Sequence, residues 1–206
     1  DTFLMHREGS LLQKLIAIGG AVEEESFEVQ VKAHVDDEVG VLSALAREEL
    51  TVIRSRSFHQ YDTYFLFDDA PEEIIRYRED EFLDEAGQTT GARSRLTLIG
   101  EAHEEEFGSV LLSRSRYLAP ASQSLRFYRE YFKPSDEREV EKLRRRWLVA
   151  YRGVEFFVNL DRLIRPESPG YFLEIKSRTW SRRDAGDKSA LIGEMLKLFG
   201  ASADQT

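Results

Sequence analysis

From Phe27 to Val35 the chain alternates strictly, with Phe27, Val29, Val31, Ala33 and Val35 on one side and Glu28, Gln30, Lys32 and His34 on the other. A period of two over nine residues is the signature of a strand with one face against a core. The polar side of such a strand is normally mixed and unremarkable. In this sequence the other strand-like segments repeatedly place like charges on one face: Arg76 with Arg78, Arg93 with Arg95, Arg114 with Arg116, and Lys142 with Arg144 and Arg146 if that stretch is extended. Neighbouring like charges repel, which is tolerated in bulk water or when a polyanion lies among them. Both readings stay open at this point.

The remaining pattern surrounds these strands with helices. Residues 10 to 18 (SLLQKLIAI) have helical spacing behind Ser10 and stop at Gly19 and Gly20. Residues 36 to 50 read as a helix with Val39, Leu42, Leu45 and Ala46 inward. Strands are expected at 59–67, 74–79, 93–99 and 110–117, a meander, and later at 154–160 and 171–177, with Pro166, Pro169 and Gly170 turning the chain between them. A helix is expected at 122–132, capped by Ser122 and ended by Pro134, and another near 187–199 with Leu191, Met195, Leu196 and Phe199 inward. Residues 140 to 151 fit either state. No repeat or Gly/Ser linker interrupts 26–200, so this span reads as one α+β domain. Residues 1–25 precede it as a lead-in segment or the tail of an upstream domain, and 201–206 form a C-terminal tail.

Composition narrows the chemistry. The 206 residues contain no cysteine, which excludes disulfides, thiolate zinc sites and a cysteine nucleophile. The four histidines, His6, His34, His59 and His103, have no ligand spacing, so a metal would have to be hard and oxygen-ligated, and His34 reads as a rim residue. A net charge of −9 argues against a general nucleic-acid or membrane-surface binder. The charge is uneven, however: residues 1–113 hold 10 basic and 25 acidic groups, whereas 114–152 hold 11 and 5. The tract 138–147 (REVEKLRRRW) could contact RNA phosphates, but a strand face in an acidic protein fits it better. Trp147 and Trp180 read as packing residues. No apolar run approaches the roughly 20 residues of a membrane span, and no leader pattern is present, so the expected compartment is the cytoplasm.

Against the arginine faces stand Glu28, Asp161 and Glu174, each in a strand or at its end. Converging carboxylates can hold Mg²⁺ or Mn²⁺, and arginine forks beside such an ion describe a phosphate-transfer site.

The ordered segments FEVQVK (27–32), HQYDTYF (59–65), IIRYR (74–78), RLTLIG (95–100), VEKLRRRW (140–147), VNLD (158–161) and GYFLEIK (170–176) resemble the CYTH superfamily, the triphosphate tunnel metalloenzymes, over nearly all of 26–200. The resemblance implies a closed eight-stranded antiparallel barrel with flanking helices, whose lumen binds a triphosphate. It assigns Glu28, Asp161 and Glu174 to the metal, Mg²⁺ or Mn²⁺. Lys32, Arg76, Arg78 and Arg144 go to the phosphate oxygens, with Lys142 and Lys176 beside them. Glu28, Glu174 and Tyr64 are placed near the reacting phosphate, although Tyr64 is equally at home as an ordinary barrel aromatic.

The implied function is a metal-dependent phosphohydrolase cleaving a phosphoanhydride bond of inorganic triphosphate, pyrophosphate or an organic triphosphate, with neither nucleic acid nor membrane as partner. The alternative is a polyphosphate- or nucleotide-binding regulatory domain of a larger protein, with a P-loop kinase-like domain upstream; the absence of an initiating methionine and the helical lead-in suit that arrangement. Class IV adenylyl cyclase relatives use the same tunnel for a different reaction. Three positions depart from the family pattern. Gln30 replaces the second acid of the first strand, Ile99 a lysine, and Lys176 the second acid of the last strand.

Overall fold

The structure, a computed structural model, describes residues 10–19, 27–100, 106–107, 110–112 and 116–202. Its elements in chain order are α1 (Leu11–Ala17), β1 (Phe27–Val35), α2 (Val39–Leu45), β2 (Leu50–Leu66), β3 (Ile74–Leu83), β4 (Thr89–Ile99), β5 (Glu106–Phe107), β6 (Val110–Leu112), β7 (Arg116–Pro120), α3 (Leu125–Phe132), β8 (Asp136–Tyr151), β9 (Val154–Arg165), β10 (Tyr171–Thr179) and α4 (Arg182–Leu198). The strands form one antiparallel ladder in the order β5-β6-β1-β10-β9-β8-β2-β3-β4-β7. Among the described residues no pairing joins β7 to β5 or β6, so the closed eight-stranded barrel expected from the sequence is here a ten-stranded ladder without a closing pair.

The ladder nevertheless curls. β6 and β7 stand near its opposite ends, eight strand spacings apart, which in a flat sheet would be about 38 Å. Only residues 113–115 lie between Leu112 and Arg116, and four Cα–Cα steps reach no further than about 15 Å. The chain itself therefore holds the two ends of the sheet close together. The expected strand 110–117 is divided between these two ends, and Arg114 lies outside the described residues.

Two apolar clusters cover the outer face. One packs Val29, Val31, Val149, Val158, Leu173 and Ile175 beneath Val41 and Ala44 of α2 and Ile192 and Met195 of α4. The other packs Phe65, Ile75, Leu96 and Leu98 beneath Leu11 and Leu15 of α1 and Tyr128 and Phe132 of α3. A capping box between Ser10 and Gln13 starts α1, and the Tyr131 hydroxyl donates to the Lys14 carbonyl at 2.9 Å, which ties α1 to α3.

Several boundaries differ from the sequence reading. Helix α2 begins only after Asp37, whose carboxylate accepts from the Val39 amide, and this phase buries Val41, Ala44 and Leu45 while exposing Val39 and Ala46. Helix α3 is capped by Ser124 rather than Ser122, and α4 starts five residues early behind Ser181. Trp147 is buried as expected, but Trp180 is 68% exposed. Among the described residues no helix is long and apolar enough to cross a membrane.

Candidate functional site

Because a strand alternates, the residues opposite the apolar clusters form a second face, and this one is polar. Register places Lys32 across from Glu174, Glu174 from Asn159, Asp161 from Arg144, Arg144 from Phe58, Asp62 from Arg78, and Arg78 from Arg95. Gln60, Asp62, Arg78, Asp80, Thr97, Lys142, Arg144, Asn159 and Asp161 are all buried, although they lie opposite the helix-covered face. Only the concave side of the curled sheet can hide them. On this side the described Lys and Arg side chains outnumber the carboxylates, in a protein whose net charge is −9.

Two bidentate pairs organise the interior. Arg78 donates from Nε and Nη2 to the two oxygens of Asp62, and Arg144 does the same to Asp161, every contact being 2.6 Å. Fork-to-carboxylate geometry of this kind fixes both partners. Burial works to raise the pKa of Asp62, but the Arg78 hydrogen bonds and charge overcome it and hold the carboxyl down at about 2. Burial likewise opposes the Arg144 charge, and Asp161 more than offsets it.

Lys142 stands between the pairs, with Nζ 3.2 Å from Asp161 and 4.0 Å from Asp62. Burial, then the Arg144 charge, push it down to about 8 despite those carboxylates. Arg146 donates to Asn159 at 2.8 Å, and Asn159 donates in turn to Glu174 at 2.7 Å. Burial opposes the Glu174 charge, but Arg144, Lys176, Lys32 and Lys142 together hold its pKa well below the ordinary range. Lys32, Lys142, Arg144, Asp161 and Glu174 line a cavity of about 160 Å³. A larger hollow of about 530 Å³ beside His34, Asp36, Asp37 and Phe199 has no Lys or Arg in its lining.

The structure brings most of the sequence-derived residues onto this one face. Arg76 reaches Thr97 at 3.3 Å, Tyr64 donates to Asp62 at 3.3 Å, and Lys176 lies 3.3 Å from Glu28. His34 is exposed and its Nε2 contacts the Pro169 carbonyl oxygen at 2.9 Å, consistent with a place at the rim. Sequence reasoning missed Asp62, the partner of Arg78. It also missed Asp80, which accepts from Gln60 at 2.6 Å and from Arg93 at 3.0 Å, and Asn159, which links Arg146 to Glu174. Each lies two positions from a residue already chosen, so the strand period was the signal available: Asp62 beside Tyr64, Asp80 beside Arg78, Asn159 beside Asp161.

The expected metal set does not fit this arrangement. Glu28 is paired with Lys176, both oxygens of Asp161 are held by Arg144, and Glu174 accepts from Asn159 with Arg144 4.0 Å away. Among the described residues no three His, Cys, Asp or Glu side chains converge as a metal-ligating group. A hard dication seeks several oxygen ligands free of competing cations, and these carboxylates already have cations beside them.

No protein-family model matches the chain, and neither does any curated protein. Solved structures do. A Pyrococcus horikoshii OT3 protein aligns with 20% identity over 85% of this chain and 92% of its own, with a TM-score of 0.62. A Vibrio parahaemolyticus protein, whose suggested activity is adenylate cyclase, aligns with 14% identity over 89% and 95%, with a TM-score of 0.59. A chain of the Schizosaccharomyces pombe Mediator head module aligns with 13% identity over 86% and 97%, with a TM-score of 0.55. At these identities the likeness is one of fold. With its curled antiparallel sheet, polar interior and outer helices, the chain shares the fold of these proteins.

Proposed function

We propose that the interior binds the phosphate chain of a phosphoanhydride compound, inorganic triphosphate or the triphosphate of an organic molecule, through Lys32, Arg76, Arg78, Lys142, Arg144 and Lys176. The observation that carries this reading is the excess of Lys and Arg over carboxylate side chains on the concave face of an acidic protein, with Arg78, Lys142 and Arg144 themselves buried. Burial first, and the neighbouring Arg144 charge second, lower the pKa values of Lys142 and Arg146, and a polyanion among these cations offsets the repulsion between them. Binding without turnover suits a regulatory domain that reports a phosphate chain to the rest of a longer protein. The fold by itself decides no reaction.

Calorimetric titration with inorganic tripolyphosphate tests the reading. Replacing Lys32 and Lys142 by methionine removes two cations while keeping the stems, and affinity should fall more than about tenfold, since a charge-assisted contact contributes about 1.5 to 3 kcal/mol. Absence of binding by the unmodified protein would defeat it. Hydrolysis is the second reading, favoured by the Tyr64 hydroxyl 3.3 Å from Asp62 and next to Arg78. Phosphate release with Mg²⁺ or Mn²⁺ that is lost in Tyr64→Phe, Glu28→Gln and Glu174→Gln would establish it.

A further inference from the structure

On β1 and β10 the interior carries two carboxylates, its acidic side: Glu28 diagonal to Lys176, with Gln30 directly across from Lys176, and Glu174 two residues before Lys176 on the same face and directly across from Lys32. Lys176 therefore stands between two carboxylates. Its Nζ is 3.3 Å from one Glu28 oxygen and 3.4 Å from the other, and its charge is among those that hold Glu174 ionised. The neutral amide of Gln30 adds no negative charge, and Lys32, directly across from Glu174, is a second cation beside that carboxylate. The third carboxylate of the expected metal set, Asp161, is neutralised by Arg144 and Lys142.

We propose that Lys176 is a built-in counter-cation: its tethered ammonium occupies the electrostatic place of a divalent ion on the acidic side of the interior. The carboxylates of this side then serve to position cations rather than to ligate metal. An ammonium fixed to the chain is present whatever the ion concentration outside, so a phosphate chain meets the same neutralised wall with or without a dication. The consequence for the ligand is specific: the interior takes the uncomplexed polyphosphate anion, and Mg²⁺ acts only by competing for that anion in solution. This second statement rests on the phosphate-binding reading above, whereas the first concerns the protein alone.

The test separates the two. Mn²⁺ is titrated into the full chain and followed by its electron paramagnetic resonance signal, with no phosphate present. The unmodified protein should bind no stoichiometric Mn²⁺. Lys176→Glu, which leaves three carboxylates and the Gln30 amide with Lys32 as the one cation across from Glu174, should bind one. Tripolyphosphate affinity should be no higher with Mg²⁺ than with EDTA for the unmodified protein, and at least about tenfold higher with Mg²⁺ for Lys176→Glu. Stoichiometric Mn²⁺ binding by the unmodified protein that disappears in Glu28→Gln overturns the proposal. So does a folded Lys176→Glu, judged by near-ultraviolet circular dichroism, that gains no Mn²⁺. If Lys176→Glu does not fold, Lys176→Met removes the ammonium alone and is read by the same two outcomes. Failure of the unmodified protein to bind tripolyphosphate at all counts against the phosphate-binding function and leaves the Mn²⁺ result to decide the role of Lys176.

Discussion

Asp62 and Arg78 have almost no exposed surface, so each depends on the other to keep a charge out of water. Replacing Arg78 by methionine strands a buried carboxylate and should lower stability by about 3 to 5 kcal/mol, whereas Asp62→Leu combined with Arg78→Met should recover much of that loss. Urea denaturation of the two variants measures it, and equal stability of single and double variants would contradict the pairing. Lys142 makes the opposite kind of contribution. Its folded pKa of about 8 lies below the 10.5 of a solvated lysine, so the unfolded chain holds more protons between those values. Stability attributable to this group therefore rises as pH increases through that window, the penalty being fully present below about 8. A bound polyanion favours the protonated form. Tripolyphosphate affinity should accordingly fall as pH rises above about 8, and that fall should be lost in Lys142→Met, as calorimetry across pH would show. The sequence showed Lys142 and Arg144 as like charges on one strand but not that Asp161 and Asp62 would flank them, because paired buried charges read the same as solvated ones until the strands are assembled.

At the scale of elements, the turn between β9 and β10 fixes how the acidic side meets β1. Gly170 there has φ +73°, and a Cβ would lie 2.7 Å from the Val35 carbonyl oxygen and 2.8 Å from the His34 ring. Gly170→Ala should cost more than about 1 kcal/mol, from the left-handed backbone before any clash is counted. Gly186, inside α4 with open space around it, should instead gain about 0.5 to 1 kcal/mol as alanine. Thermal denaturation of both variants checks the contrast. Strands β1 and β10 were legible because their apolar face meets a helix-covered core. The first half of β2 was not, since residues 51–56 are exposed on both faces and carry no alternation of burial. Strand β8 was ambiguous for a different reason: its buried face bears Lys142 and Arg144, and polarity no longer tells inside from outside when the interior itself is charged.

The whole molecule inverts the common arrangement of a sheet protein. Its apolar cores lie outside the curl, under α1 with α3 and α2 with α4, and its densest charge lies within. The seven ordered motifs made this architecture legible as a resemblance, and the chain length between β6 and β7 makes it physically necessary that the sheet curl. Eight expected strands became ten because 110–117 serves both ends of the ladder and because the short β5 pairs with β6, features with no hydrophobic period of their own. The account stands on anion capture in the interior. The most direct measurement is a ¹H–¹⁵N spectrum of the arginine Nε–Hε groups recorded as tripolyphosphate is added. Shifts at Arg78, Arg144 and Arg146, with the exposed Arg126 and Arg152 unmoved, are the predicted result. Shifts confined to exposed arginines, or none at all, would contradict it.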